Sequence, residues 1–198
     1  MGVKLNLYDE YKIGDTEYRV AMGDIFDMEN IDGIGFTTNG YVNKKGLNIM
    51  GVGIAKDISR KYTNIPMVLG KMIKTYGNNV YRLIVDHGVH IFNIPVKPSM
   101  GDIKDKLPYS RVRYMGNSIP GYAVKADVNL IEQSVVQLVR LVNDYDLKNV
   151  AIPLLGCGAG GLGISDIRYI LDEYLDNRFI VCSYKLEDLD YVSNIVSI

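Results

Sequence analysis

Short apolar, β-branched runs alternate along this chain with segments whose apolar residues return every three or four positions. That alternation constrains the fold more than any other feature, because strands separated by helices pair in parallel and need helices on both sheet faces. Lys4 to Tyr8 and Glu17 to Met22 read as strands, and Ile34 to Thr38, bounded by Gly33 and Gly40, as a buried one. Ile54, Ile58 and Tyr62 mark one face of a helix between Val52 and Tyr62. Tyr81 to Val85 and His90 to Ile94 are strands joined at His87-Gly88, the second ended by Pro95. Val128, Ile131, Val135, Leu138 and Val142 define an amphipathic helix entered at Asp127 or Asn129. Val150 to Leu155 is the most apolar strand. A helix follows from about Ser165, then a last strand from Phe179 to Tyr184 and a tail, Lys185 to Ile198, expected to add a short helix. Residues 97–126 hold no period and read as an irregular insertion in one domain spanning 1–198.

Composition matters here for what it excludes. At 47% hydrophobic residues the chain can bury a core, so it is not a disordered segment. A net charge of −1 gives no field for coating nucleic acid. Two cysteines, Cys157 and Cys182, and two histidines, His87 and His90, offer neither a disulfide framework nor a four-ligand zinc site, so no metal is expected. No run of about 18 apolar residues and no signal-peptide stretch is present. A cytoplasmic monomer with no membrane contact is the expectation.

In a sheet of this kind, ligands sit at the carboxyl ends of the strands. Gly156-Cys157-Gly158-Ala159-Gly160-Gly161-Leu162-Gly163 places five glycines in eight residues between a buried strand and a helix. Glycine there permits positive φ and leaves main-chain N–H groups uncovered, which suits an anion such as phosphate. The spacing also contains GxGxxG, but the Rossmann fingerprint leaves the first strand of its sheet, whereas only one clear strand follows here. Gly51-Val52-Gly53-Ile54-Ala55 opens another helix from the same sheet edge. Two such bends facing each other suit a diphosphate, with a plain turn as the alternative for the second. Asn39, ending a strand, can hold a sugar hydroxyl or simply cap a turn. Asp24 can accept from an exocyclic amine such as that of adenine, or cap its own turn.

Gly23-Asp24-Ile25, Thr38-Asn39, Gly51 to Ala55 and Pro153 to Leu162 occur in an order and spacing that resembles the macrodomain family across roughly residues 17–184. Met50 to Ala55, with Ile91 to Lys97, is similar to the branch of terminal-ADP-ribose and DNA-ADP-ribose glycohydrolases and phage macro proteins. The resemblance implies a three-layer α/β/α fold, a central mixed, mostly parallel sheet and an ADP-ribose cleft, in a bacterial cell or phage-infected host. It implies Asp24 and Ile25 at adenine, with Tyr184 stacking or lying free at a strand end. Asn39 would touch the distal ribose. Gly51, Val52, Gly53 and Ile54, and Gly156, Cys157, Gly158, Ala159, Gly160, Gly161 and Leu162, would hold the diphosphate and distal ribose.

Glycohydrolases of that branch resemble one another in a helix lysine after the first glycine loop and an acid in the second. Here the helix offers Lys56, Arg60 and Lys61, and the second loop has Ala159 and Gly160 where the acid belongs. Asn39, positioning water, and then Lys56 are the expected catalytic contributors, with no cofactor. A hydrolase of an ADP-ribosyl bond or of ADP-ribose 1″-phosphate is the leading expectation. A non-catalytic ADP-ribose reader or nucleotide-signal sponge is the alternative, and a dehydrogenase a distant third. The partner is ADP-ribose or an ADP-ribosylated protein or nucleic acid. Basic and tyrosine residues in 97–126, such as Lys104, Lys106, Tyr109, Tyr122 and Lys125, would face that carrier or only solvent.

Overall fold

A computed structural model describes residues 11–13, 17–110, 112, 117–184 and 195–197. Its main sheet contains β1 (Tyr11–Ile13), β2 (Arg19–Met22), β3 (Gly33–Asn39), β4 (Tyr81–Asp86), β5 (Val89–Lys97), β8 (Val150–Pro153), β9 (Phe179–Ser183) and β10 (Ile195–Ser197). A separate hairpin pairs β6 (Met100–Asp102) with β7 (Ser118–Pro120). The helices are α1 (Gly53–Lys61), α2 (Ile65–Tyr76), α3 (Val128–Asp144) and α4 (Ile164–Tyr174).

The sheet order is β10-β1-β2-β9-β8-β3-β5-β4. The five central strands, β2, β9, β8, β3 and β5, run parallel, and the strands at both edges are antiparallel. Period-two burial divides the core between the two faces. Val150 and Ile152 of β8, and Phe179 and Val181 of β9, pack toward α3 and α4. Ala151, Ile180 and Cys182 pack toward α1 and α2. The result is the expected three-layer α/β/α sandwich around a mixed, mostly parallel sheet.

Four local readings change. Pro95 does not end its strand: β5 continues to Lys97, and the pairing slips from Thr38 opposite Pro95 to Asn39 opposite Lys97. Proline has no N–H for the ladder, and a one-residue bulge follows it. The helix α2 was not anticipated, although Ile65, Leu69 and Ile73 recur at helical spacing and Pro66 sits in the first turn. The insertion contains β6, β7 and two short 3-10 turns, Ile103–Asp105 and Gly121–Ala123. In the tail, residues 195–197 form an unanticipated strand against β1, pairing an otherwise open edge; residues 185–194 of the segment expected to add a short helix lie outside the described residues. Lys4 to Tyr8 lies outside the described residues.

The loop from Asn39 to Met50 lies on α2. Asn48 N–H donates to the Pro66 carbonyl at 2.9 Å, and a Cβ at Gly70 would overlap the Gly46 carbonyl. Glycine in a helix interior normally costs about 1 kcal/mol against alanine. Here the close approach reverses that preference. Gly70→Ala is expected to destabilise the protein by more than about 2 kcal/mol in urea unfolding, despite its better helix propensity.

Candidate functional site

The strand order reverses direction at one place. From β3 the chain passes through α1 and α2 to β4 and β5 on one side; from β8 it passes through α4 to β9 on the other. β3 and β8 are parallel hydrogen-bonded neighbours, so the loops leaving both open at the same carboxyl edge. A switch point of this kind leaves a crevice between the departing loops. It brings Gly51 to Ile54 and Gly156 to Leu162 to one edge.

The glycines of these loops divide into two sets. A Cβ on Gly51, Gly53 or Gly158 would meet nothing within 4 Å, so these three border open space. Gly156 and Gly161, at φ +74° and +75°, would press a Cβ onto Leu162 and Leu107, and Gly160 would press one onto the Gly156 carbonyl. Those three are glycine because the loop folds tightly on itself. Gly161 N–H donates to the Gly158 carbonyl at 3.1 Å, and Leu162 N–H to the Gly156 carbonyl at 3.1 Å. Among the described residues, the N–H groups of Gly158, Ala159 and Gly160 find no protein acceptor.

The two helix starts differ. Gly163 N–H, at the cap of α4, donates to its own Asp166 carboxylate at 2.9 Å, and Lys125 lies 3.9 Å from that carboxylate. That terminus is already answered. Val52, capping α1, is 62% exposed, offers no side-chain cap, and no acid occupies the first turn of α1. The α1 amides are therefore the open ones.

Asn39 is 8% exposed and its amide ties the first loop: Nδ2 donates to the Ile49 carbonyl at 2.8 Å, and Oδ1 accepts from Tyr41 N–H at 3.0 Å. Asn48 Nδ2 donates to the carbonyls of Asn39 and Tyr41 at 2.7 and 3.0 Å. Asp24 Oδ1 accepts from Phe26 N–H at 3.0 Å, capping the turn Ile25–Asp27. Tyr184 hydrogen-bonds the Asp24 carboxylate, and burial of its hydroxyl beside that charge pushes the phenol up to about 12. Its ring stays exposed. Ile25 and Leu162 bury their side chains in the core, and Ile54 packs partly against it. Cys157 is half-buried, with Sγ 3.6 Å from the Leu155 carbonyl. Lys56, in the first turn of α1, is exposed to solvent.

One site residue went unnoticed in the sequence. Lys97, at the end of β5 opposite Asn39, is 7% exposed. Its Nζ donates to the Ala159 carbonyl at 2.7 Å and to the Tyr122 carbonyl at 3.4 Å. Burial lowers its pKa to about 8. A lysine after a strand is usually solvated; only the bulge after Pro95 turns this one beside the second glycine loop. Tyr109, from the insertion, donates to the same Ala159 carbonyl at 2.8 Å.

Two bends with open amides at one switch-point edge, with a buried amine beside the second, form a candidate ligand site in an α/β/α protein. No family model matches the sequence. The DNA ADP-ribosyl glycohydrolase of Mycobacterium tuberculosis is 25% identical over 152 residues, covering 74% of this chain and 35% of that protein. The chain thus spans about a third of the length of the curated relatives it matches. The Thermosipho africanus DarTG structure, solved with ADP-ribose, superposes at a TM-score of 0.62 with 17% identity, over 87% of this chain and 43% of that one. The macrodomain of Mycobacterium tuberculosis DarG superposes at 0.57 with 20% identity, over 81% of this chain and 93% of that one. These likenesses show that the chain has the macrodomain fold.

The lysine has a measurable consequence for stability. Its pKa falls from 10.5 unfolded to about 8 folded, so between these values the unfolded chain holds more protons and stability rises with pH. Below about 8 both states are charged and the burial cost is paid in full. Lys97→Met is therefore expected to be more stable than wild type at pH 7. In denaturant titrations the advantage should shrink, on the order of 2 kcal/mol, by pH 10.5.

Proposed function

We propose that this macrodomain binds ADP-ribose and hydrolyses a bond at the anomeric carbon of its distal ribose. The diphosphate lies between the open amides of Gly51 to Ile54 and those of Gly158 to Gly160. Adenine lies toward Asp24 and Tyr184, and the distal ribose toward Asn39 and Lys97. Binding energy from the adenosine end then positions C1″. The buried amine of Lys97, between the ends of β3 and the second glycine loop, is the observation that carries the reading.

An ammonium lowered to about 8 is neutral in a useful fraction of molecules near neutral pH. Its lone pair attacks C1″: the Nζ–C1″ bond forms as the bond to the departing group breaks, and that group leaves with the electron pair. Water then bonds to C1″ as the Nζ–C1″ bond breaks with its electron pair returning to nitrogen, and the proton lost from water passes to the departed group, giving ADP-ribose and the free amine. Asn39, whose amide is engaged with Ile49 and Tyr41, holds the loop that faces the ribose. This assigns to Lys97 the part expected of Lys56, which is solvated on α1.

A non-catalytic reader is the second reading. The absence of an acid from Gly156 to Leu162 favours it, because nothing in that loop then activates water.

Calorimetry and turnover separate these. ADP-ribose should bind wild type, and Gly158→Glu, whose side chain enters open space without crowding the fold, should weaken binding at least tenfold. Unchanged affinity in that variant would place the ligand elsewhere. Turnover is measured on ADP-ribosylated DNA, ADP-ribosylated protein and ADP-ribose 1″-phosphate. Lys97→Met should keep ADP-ribose binding within a few fold and lose turnover at least a hundredfold. Tight binding with no wild-type turnover on all three substrates would establish the reader.

A further inference from the structure

The Ala159 carbonyl accepts two side-chain donors that come from different parts of the chain. Lys97 Nζ approaches from the end of β5 at 2.7 Å, and the Tyr109 hydroxyl approaches from the insertion at 2.8 Å. The insertion touches the second glycine loop at two more points. Ala126 N–H donates to the Gly160 carbonyl at 2.9 Å, and Leu107, 5% exposed, fills the space against Gly161. Leu107, Tyr109 and Ala126 of the insertion thus brace the second glycine loop, and Tyr109 is the brace that reaches the carbonyl Lys97 uses.

We propose that Tyr109 is a positioning residue for Lys97: by donating to the Ala159 carbonyl it holds that oxygen in place and shares it with the amine. The inference rests on the hydrolase reading of Lys97. A carbonyl already accepting one O–H offers less negative charge to a second donor, and a charged donor loses most from that sharing. The phenol therefore favours the neutral amine, the form that attacks.

The groups around Nζ leave the carbonyl as the main polar partner. The Tyr122 carbonyl is farther, at 3.4 Å, and the Tyr122 ring packs edge-on against Tyr41 with centroids 5.3 Å apart. The acids of the adjoining elements are engaged or face solvent: Asp102 accepts from Lys104 N–H, Asp127 caps α3, Asp105 is exposed, and Asp166 holds Gly163 N–H near Lys125. From β3 the neighbour in register is Asn39, which does not titrate. Burial, rather than a nearby charge, lowers the lysine, so a change in its hydrogen bonding is free to move its titration.

The test is an NMR titration of the lysine ε-carbons in wild type and Tyr109→Phe, with the Lys97 signal assigned through Lys97→Arg. Tyr109 is 62% exposed, so the phenylalanine variant keeps its fold. The expected result is a Lys97 midpoint raised by about half a pH unit in Tyr109→Phe. In turnover assays the acid limb should move up by the same amount, with kcat lowered about threefold at pH 7, KM within twofold, and recovery at higher pH. A midpoint unchanged between the two proteins overturns the proposal, as does a KM increase that higher pH does not restore. The titration needs no substrate, so failure of the hydrolase reading shows as absent wild-type turnover while the Lys97 shift is still read.

Discussion

The hydrogen bond from Lys97 to the Ala159 carbonyl joins the two halves of this molecule. On one side of the switch point lie β3, β5 and the helices α1 and α2; on the other lie β8, α4 and β9. The amine stands at the end of the first half and the glycine loop belongs to the second, so the contact ties the end of β5 to that loop. Among the described residues the buried amine has no carboxylate partner, and burial of a charge in that way is costly. Among the described residues, the neighbouring N–H groups of Gly158 to Gly160 find no protein acceptor.

A small irregularity makes that contact possible. Without the slip after Pro95, Val96 would stand opposite Asn39 and the alternation of β5 would carry Lys97 onward. The proline, which cannot donate to the ladder, and the bulge behind it redirect the chain so that a charged side chain enters the interior. The insertion then closes over it. Tyr122 supplies a second carbonyl and Tyr109 a second donor, while Leu107 seals the far side of the glycine loop. A stretch without periodicity is therefore structural at the place where chemistry is proposed.

The two glycine loops also differ in what holds them. The first rests on α2 through Asn48 and the close approach at Gly70, and is tied internally by Asn39 and Asn48. The second is braced by the insertion. Both keep backbone outward because their polar obligations are met inward. This accounts for the division between glycines that border open space, Gly51, Gly53 and Gly158, and those packed within the loop, Gly156 and Gly160.

Periodicity alone was enough to read the layered α/β/α plan, the parallel centre of the sheet, and the strand ends from which Asn39, Asp24 and both glycine loops depart. These are local facts: a side-chain period of two or 3.6, and glycine where the backbone must turn. Tertiary structure decided the rest. It put Tyr184 against Asp24, gave Asn39 a place in the loop's own hydrogen bonding, left Lys56 in solvent, and buried Lys97. A lysine at a strand end looks the same in sequence whether it is solvated or enclosed. Its environment comes from a bulge and from residues up to 62 positions away, and no local pattern encodes contacts of that range.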